Sequence, residues 1–146
     1  MLKEGGAGYK VEDDILVKRW EKVVWNVAWN SITALTLLDT KSWLDSSDQA
    51  MVVSRRVMDE VIEVANAAGI KVKRSLTDEL IDKTLGMPGV ISSMYTDLRN
   101  ERPMEVESIL GGPVHLGKRL NVSTPTLDIL YALIKAQDSR IRKLKI

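Results

Sequence analysis

"KVVWNVAWN", residues 22–30, decides how this chain is read. Lys22, Asn26 and Asn30 recur at every fourth position in a run that otherwise holds valine, tryptophan and alanine. That spacing has the period of a helix, not the alternation of a strand. At about 3.6 residues per turn the three polar side chains share a face, each about 6 Å along the axis from the last and turned by about 40°, a ladder roughly 12 Å long. Upstream, Glu12, Asp13 and Asp14 supply the acidic first turn that a helix dipole favours. Leu16, Trp20, Val23, Val24, Val27, Ile32 and Leu35 are too many apolar positions for one stripe. The helix, expected to run to about Leu38, is therefore read as the central one, covered over most of its circumference. Gly-rich residues 1–10 are read as a flexible N-terminal segment and 11–146 as one helical domain.

The pattern stays helical outward from this stretch. "SSDQ" at 46–49 has capping-box spacing, and the run it opens continues to Ala68, where Gly69 supplies a left-handed stop. Thr77 caps a shorter helix through about Leu85, "GMPG" at 86–89 breaks it, and Val90 to Asn100 starts another. Glu105 begins a segment interrupted at "GGP", 111–113, where Pro113 lacks an amide hydrogen and should kink or restart the helix. In the last helix Thr124 is the N-cap and Pro125 the first helical position. Leu127, Leu130, Tyr131 and Ile134 follow at helical spacing, and Arg140, Arg142, Lys143 and Lys145 complement the C-terminal dipole. With no internal repeat and no alternation of strand period, the fold class is all-α.

Composition narrows the function classes. A chain of 146 residues with 45% apolar and 28% charged residues and a net charge of +1 has the make-up of one compact globular domain. It has neither the basic surplus of a nucleic-acid binder nor an uncharged apolar run of about 18 residues that could span a bilayer. Cysteine is absent and His115 is the single histidine, so a thiol nucleophile, a disulfide framework and a histidine cluster are excluded, and no metal site is expected. "MLKEGGAGYKVEDD" resembles neither a secretory signal nor a transit peptide, from which a cytoplasmic setting is expected. "GGAGYK" fails the G-x-G-x-x-G spacing, and the chain has no P-loop and no G-x-S-x-G elbow.

Three groups could carry chemistry. The ladder fits two readings: Lys22 reaching water with the asparagines capping or bridging neighbours, or amides kept as donors and acceptors in a cleft. On the second long helix Val53, Val57, Glu60 and Val64 fall on one side, so Glu60 interrupts an apolar stripe. It is either a partner of Lys22 or an edge glutamate reaching solvent. In the third group, "ISSMYTD" and "ERPMEVESILGG", Ser92 and Ser93 are read as mid-helix residues with Asp97 one turn past Ser93. Glu105 after Pro103 is either a first-turn acid or a catalytic group. The tryptophans at 20, 25 and 29 are read as core or interface, His115 as a bland surface or core residue, and the basic C-terminus as a solvated helix end.

In this order the groups resemble the C-terminal domain of the ketopantoate reductase (2-dehydropantoate 2-reductase) family, from about Val11 to Lys143. Three motifs carry the resemblance: W-x-K-(x3)-N-(x3)-N in "WEKVVWNVAWN", S-S-M-x-x-D in "SSMYTD", and R-P-x-E-(x5)-G in "RPMEVESILG". "TP" opens the last helix as the family pattern has it. The resemblance implies a multi-helix bundle of the 6-phosphogluconate dehydrogenase C-terminal-like type, paired in the family with an N-terminal Rossmann domain that binds NADP(H). It also implies Lys22 as the catalytic lysine and Asn26 and Asn30 on the substrate's oxygens. Ser93 would bind the substrate's carboxylate, and Glu105 would contact both substrate and the nicotinamide-side ribose. Glu60 and Asp97 would be supporting acids, Glu60 holding the lysine in place.

The "GGP" interruption departs from many members of the family. The larger departure is that no Rossmann half lies within these residues. A domain of roughly 150 residues is expected to precede residue 1 in a longer parent, judging by usual domain sizes. The implied function is the substrate-binding and dimerisation domain of an NADPH-dependent reductase of ketopantoate in pantothenate and coenzyme A biosynthesis, inactive alone and homodimeric. The alternatives are a domain of another 2-oxo acid or hydroxy-acid dehydrogenase, and a non-catalytic helical dimerisation module. A pure scaffold has no need of Lys22, Asn26, Asn30, Ser93 and Glu105 together.

Overall fold

The computed structural model describes the backbone of residues 2–144 and the side chains of residues 13–144. Seven α-helices and one π turn make up the described chain, with no strand among them, so the all-α expectation holds. They are α1 (Leu2–Thr36), α2 (Thr40–Ser46), α3 (Asp48–Ala67), α4 (Leu76–Leu85), α5 (Ser93–Arg99), the π turn (Glu107–Gly111), α6 (Gly112–Arg119) and α7 (Pro125–Leu144). The expected flexible segment is drawn as helix from Leu2 onward, ahead of the start read at the acidic triplet. Met1 and Lys145 lie outside the described residues.

α1 is the central helix, packing against α2, α3, α5, the π turn and α7. Val24, Val27, Ala28, Ile32 and Ala34 are buried on several of its sides, as the excess of apolar positions requires. The covering begins at Trp20 and not at Leu16, which is 37% exposed beside an exposed Ile15. From the other helices Val57, Met58, Val61, Met94, Leu110, Leu127, Ile134 and Ile141 complete one continuous core. Among the described residues no helix is long and apolar enough to cross a membrane.

Helix ends follow local chemistry in most places. The capping-box spacing of 46–49 points to Ser46, but Ser46 closes α2 and the next residue, Ser47, caps α3, its hydroxyl accepting from the Ala50 N–H at 3.2 Å. α3 stops at Gly69 (φ +87°) through paired bonds, Gly69 N to Asn66 O and Ile70 N to Ala65 O, each 3.0 Å. The short helix α2 has no counterpart in the sequence reading. Its signal is Asp39 three residues before Ser42, whose N–H the carboxylate accepts at 2.8 Å. Trp43 then pins α2 to α3 with an indole N–H to Ser54 Oγ at 2.9 Å.

Three expectations are corrected and the one at "GGP" holds. Thr77 is not a cap but lies inside α4, its hydroxyl donating to Asp59 across to α3 at 2.6 Å. Val90–Ser92 is non-helical, so Ser92 and Ser93 stand at the start of α5 and not in its middle. At "GGP" the helix restarts as expected: one wide turn, Glu107–Gly111, passes directly into α6, whose first positions hold Pro113. At α7 the Thr124 hydroxyl turns to Asp128, and the open amides of Thr126 and Leu127 are capped by Glu60 of α3, at 3.1 and 2.8 Å.

Candidate functional site

The ladder descends from solvent into the bundle. Lys22 and Asn26 are exposed on α1, and one turn further Asn30 is 9% exposed. Two adjoining cavities meet along it. The outer one, about 730 Å³, lies between α1 and α4 and is walled by Lys18, Glu21, Lys22, Trp25, Asn26, Leu80 and Lys83. The inner one, about 210 Å³, is walled by Asn26, Asn30, Thr33, Trp25 and Trp29 of α1, by Thr40, and by residues 90–93. Trp25 and Asn26 belong to both, so the lysine end and the asparagine end of the ladder face two cavities that adjoin at these residues.

Ser93 reaches the inner cavity because α5 starts there. The non-helical 90–92 strip is tied to α2 by Thr40 N to Val90 O at 3.0 Å and by Val90 N to Thr40 Oγ1 at 3.1 Å. The two serines then divide their work according to their protons. Thr33 donates its hydroxyl hydrogen to Trp29 O at 2.6 Å, so in its 2.8 Å contact with Ser92 it must accept. Ser92 therefore donates to Thr33 and accepts from the Tyr95 N–H at 3.0 Å, which caps α5. Its hydroxyl is engaged by the fold on both sides, while Ser93, the exposed one of the two, lines the same cavity.

The tryptophans build the walls. Trp25 and Trp29 meet edge-to-face with centroids 6.2 Å apart, and the ammonium of Lys83 lies 5.2 Å over the Trp25 ring. Trp29 is 3% exposed, and its indole N–H is buried without a partner. Lys18 and Lys83 were not among the sequence candidates. Lys18 had a signal, one helical turn before Lys22 on the same face. Lys83 had none, because α4 meets α1 only through the tertiary fold. The outer cavity thus holds three ammonium groups against the one carboxylate of Glu21, a balance that draws in an anion.

Glu60 lines neither cavity. Both of its oxygens are taken by the α7 amides, so the suggested partnership with Lys22 is replaced by a cap in trans. An apolar stripe tolerates the carboxylate because two N–H donors at a positive helix end satisfy it. Asp97, half-buried on α5, pairs with Arg102 (Oδ1 to Nε 3.3 Å), and its carbonyl accepts the Arg102 N–H at 2.7 Å. It supports the R-P-M-E loop and not the ladder. Glu105 is exposed on that loop and walls neither cavity.

With the geometry in place, the chain can be set against known proteins. Residues 14–138 match the family model for the ketopantoate reductase PanE/ApbA C terminal. A 2-dehydropantoate 2-reductase of Pyrobaculum aerophilum is 34% identical over 139 residues, 95% of this chain and 50% of the relative. Among solved structures, 2-dehydropantoate 2-reductase from Methylococcus capsulatus matches with a TM-score of 0.79 at 35% identity over 86% of this chain and 43% of that one. A ketopantoate reductase from Staphylococcus aureus, described as dimeric, matches with a TM-score of 0.80 at 27% identity, over 87% of this chain and 44% of that one. The chain spans about half the length of the curated relatives it matches.

Proposed function

The chain belongs to the family of ketopantoate reductase C-terminal domains, and from that premise we propose that it is the substrate-binding half of an NADPH-dependent reductase of a 2-oxo acid, ketopantoate by the names of its relatives. The observation that carries the proposal is the ladder, with Lys22 and Asn26 lining the outer cavity and Asn26 and Asn30 lining the adjoining inner cavity that Ser93 also lines. When bound, the reduced nicotinamide supplies a hydride to the keto carbon. Lys22 stabilises the negative charge that develops on the keto oxygen and gives that oxygen its proton, recovering one from solvent. Asn26 and Asn30 orient the carbonyl and then the product hydroxyl, fixed donors that need no reorganisation during reaction. Ser93, free of any capping duty, takes the substrate carboxylate.

The described residues contain no strand and so no glycine-rich turn of a βαβ unit for the phosphates of a dinucleotide. What they offer is the exposed Glu105 carboxylate, proposed both as an acceptor for a ribose hydroxyl of the cofactor and as a contact to the substrate where the two meet. The 146-residue chain by itself is therefore proposed to be inactive, the hydride chemistry requiring a dinucleotide-binding half alongside it. The assembly is proposed to be a cytoplasmic homodimer, in line with the dimeric relative from Staphylococcus aureus.

The test is Lys22→Ala in the protein that joins this chain to its dinucleotide-binding half. Loss of a general acid lowers kcat by about 10²-fold or more. Turnover within a few-fold of wild type would remove Lys22 from the chemistry.

A further inference from the structure

Asp138 is a buried carboxylate with no part in the ladder. It is 7% exposed on α7, where Oδ1 accepts from the backbone N–H of Met104 at 2.8 Å and Oδ2 from Arg142 Nε at 2.7 Å. Arg142 offsets the charge of a carboxylate withdrawn from water. The other partner has the functional consequence, because Met104 immediately precedes Glu105. Met104 and Val106 are 2% and 3% exposed, so the residue between two buried neighbours is the one turned to solvent. Upstream, Arg102 is held by Asp97 of α5, and Pro103 fixes its own φ and needs no hydrogen-bond partner for nitrogen. The loop that presents Glu105 is thus fastened to α5 at one end and to α7 at the other.

We propose that Asp138 is a positioning residue, holding the Arg102–Glu105 loop from the last helix so that Glu105 meets the bound substrate. The proposal rests on the role given to Glu105 above. It extends the working parts of the site to the far end of the chain, to a residue in contact with neither cavity.

A double-mutant cycle tests it in the protein that joins this chain to its dinucleotide-binding half. Asp138→Ala lowers kcat by about 10- to 100-fold, the scale of a misplaced catalytic contact, with a smaller change in KM. Where that variant fails to fold, Asp138→Leu fills the same space without an acceptor. Asp138→Asn keeps an oxygen for the Met104 N–H and retains kcat within about threefold of wild type. On a Glu105→Gln background the loss from Asp138→Ala or Asp138→Leu shrinks to about twofold or less, because the residue being positioned is gone. Equal losses in both backgrounds would overturn the positioning role while leaving Glu105 its place. A Glu105→Gln variant with wild-type kinetics would overturn the reading of Glu105, and this proposal with it. In the 146-residue chain alone, hydrogen exchange at the Met104 amide quickens in Asp138→Ala or Asp138→Leu but not in Asp138→Asn. Unchanged exchange would overturn the tether itself.

Discussion

Glu60 interrupts an apolar stripe because both of its oxygens have donors waiting. Helix α7 begins with Pro125, and its next two amides have no intrahelical partner. The carboxylate fills them from a helix 66 residues away in sequence, adding a favourable charge at a positive helix end. Removing it leaves two buried-side donors unmet. Glu60→Ala is expected to lower stability by about 1–2 kcal/mol, the scale of a lost N-cap. In urea the midpoint should fall with the slope unchanged. In the proposed full-length reductase kcat should stay near wild type, since both Glu60 oxygens are held by α7 amides. A large loss of kcat in a folded Glu60→Ala protein would restore the partnership with Lys22 that the sequence alone left open.

The π turn and α7 meet through one carboxylate. Glu107 accepts from the Tyr131 hydroxyl, from Lys135 Nζ at 3.1 Å and from His115 Nε2 at 3.1 Å, while the His115 and Tyr131 rings pack edge-to-face with centroids 5.9 Å apart. The hydrogen bond from Tyr131 is the largest influence, followed by that from His115, and together they hold the Glu107 carboxyl down from its ordinary 4.5 to about 2. Glu107 in turn raises the Tyr131 phenol. A carboxyl with a depressed folded pKa contributes stability above its ordinary value and loses it as pH falls toward its folded value. The contribution is therefore full above about pH 4.5 and fades between there and about pH 2. Thermal midpoints measured across that window should drop more steeply for wild type than for Glu107→Gln. Parallel curves would mean the cluster adds nothing to the folded state. Gly111 lies in the same turn, where a Cβ would meet the Glu107 carboxylate and push it aside from its partners.

At the scale of the molecule, the bundle wraps α1 so that its ladder is buried at the Asn30 end and open at the Lys22 end. The homodimer proposed for the assembly is checked by sedimentation velocity at micromolar concentration. A species of twice the monomer mass is expected, and a monomer throughout would remove self-association from the account. Much of this arrangement was legible in the sequence. Helical period, the Gly69 stop, the start of the second long helix within 46–49 and the crowding of apolar residues on α1 are local properties, set by which side chains sit close together in sequence. The ladder is one of them, as is the exclusion of thiol chemistry.

What only the tertiary structure decided is which groups meet across the chain. It gave Glu60 to α7 instead of Lys22, spent the Ser92 hydroxyl on Thr33 and left Ser93 lining the inner cavity. It also brought Lys83 over Trp25 and hung the Glu105 loop from Asp138. The physical reason is that periodicity fixes the face a residue occupies, whereas its partner depends on how helices distant in sequence pack, and buried polar atoms take whichever donor that packing brings within reach.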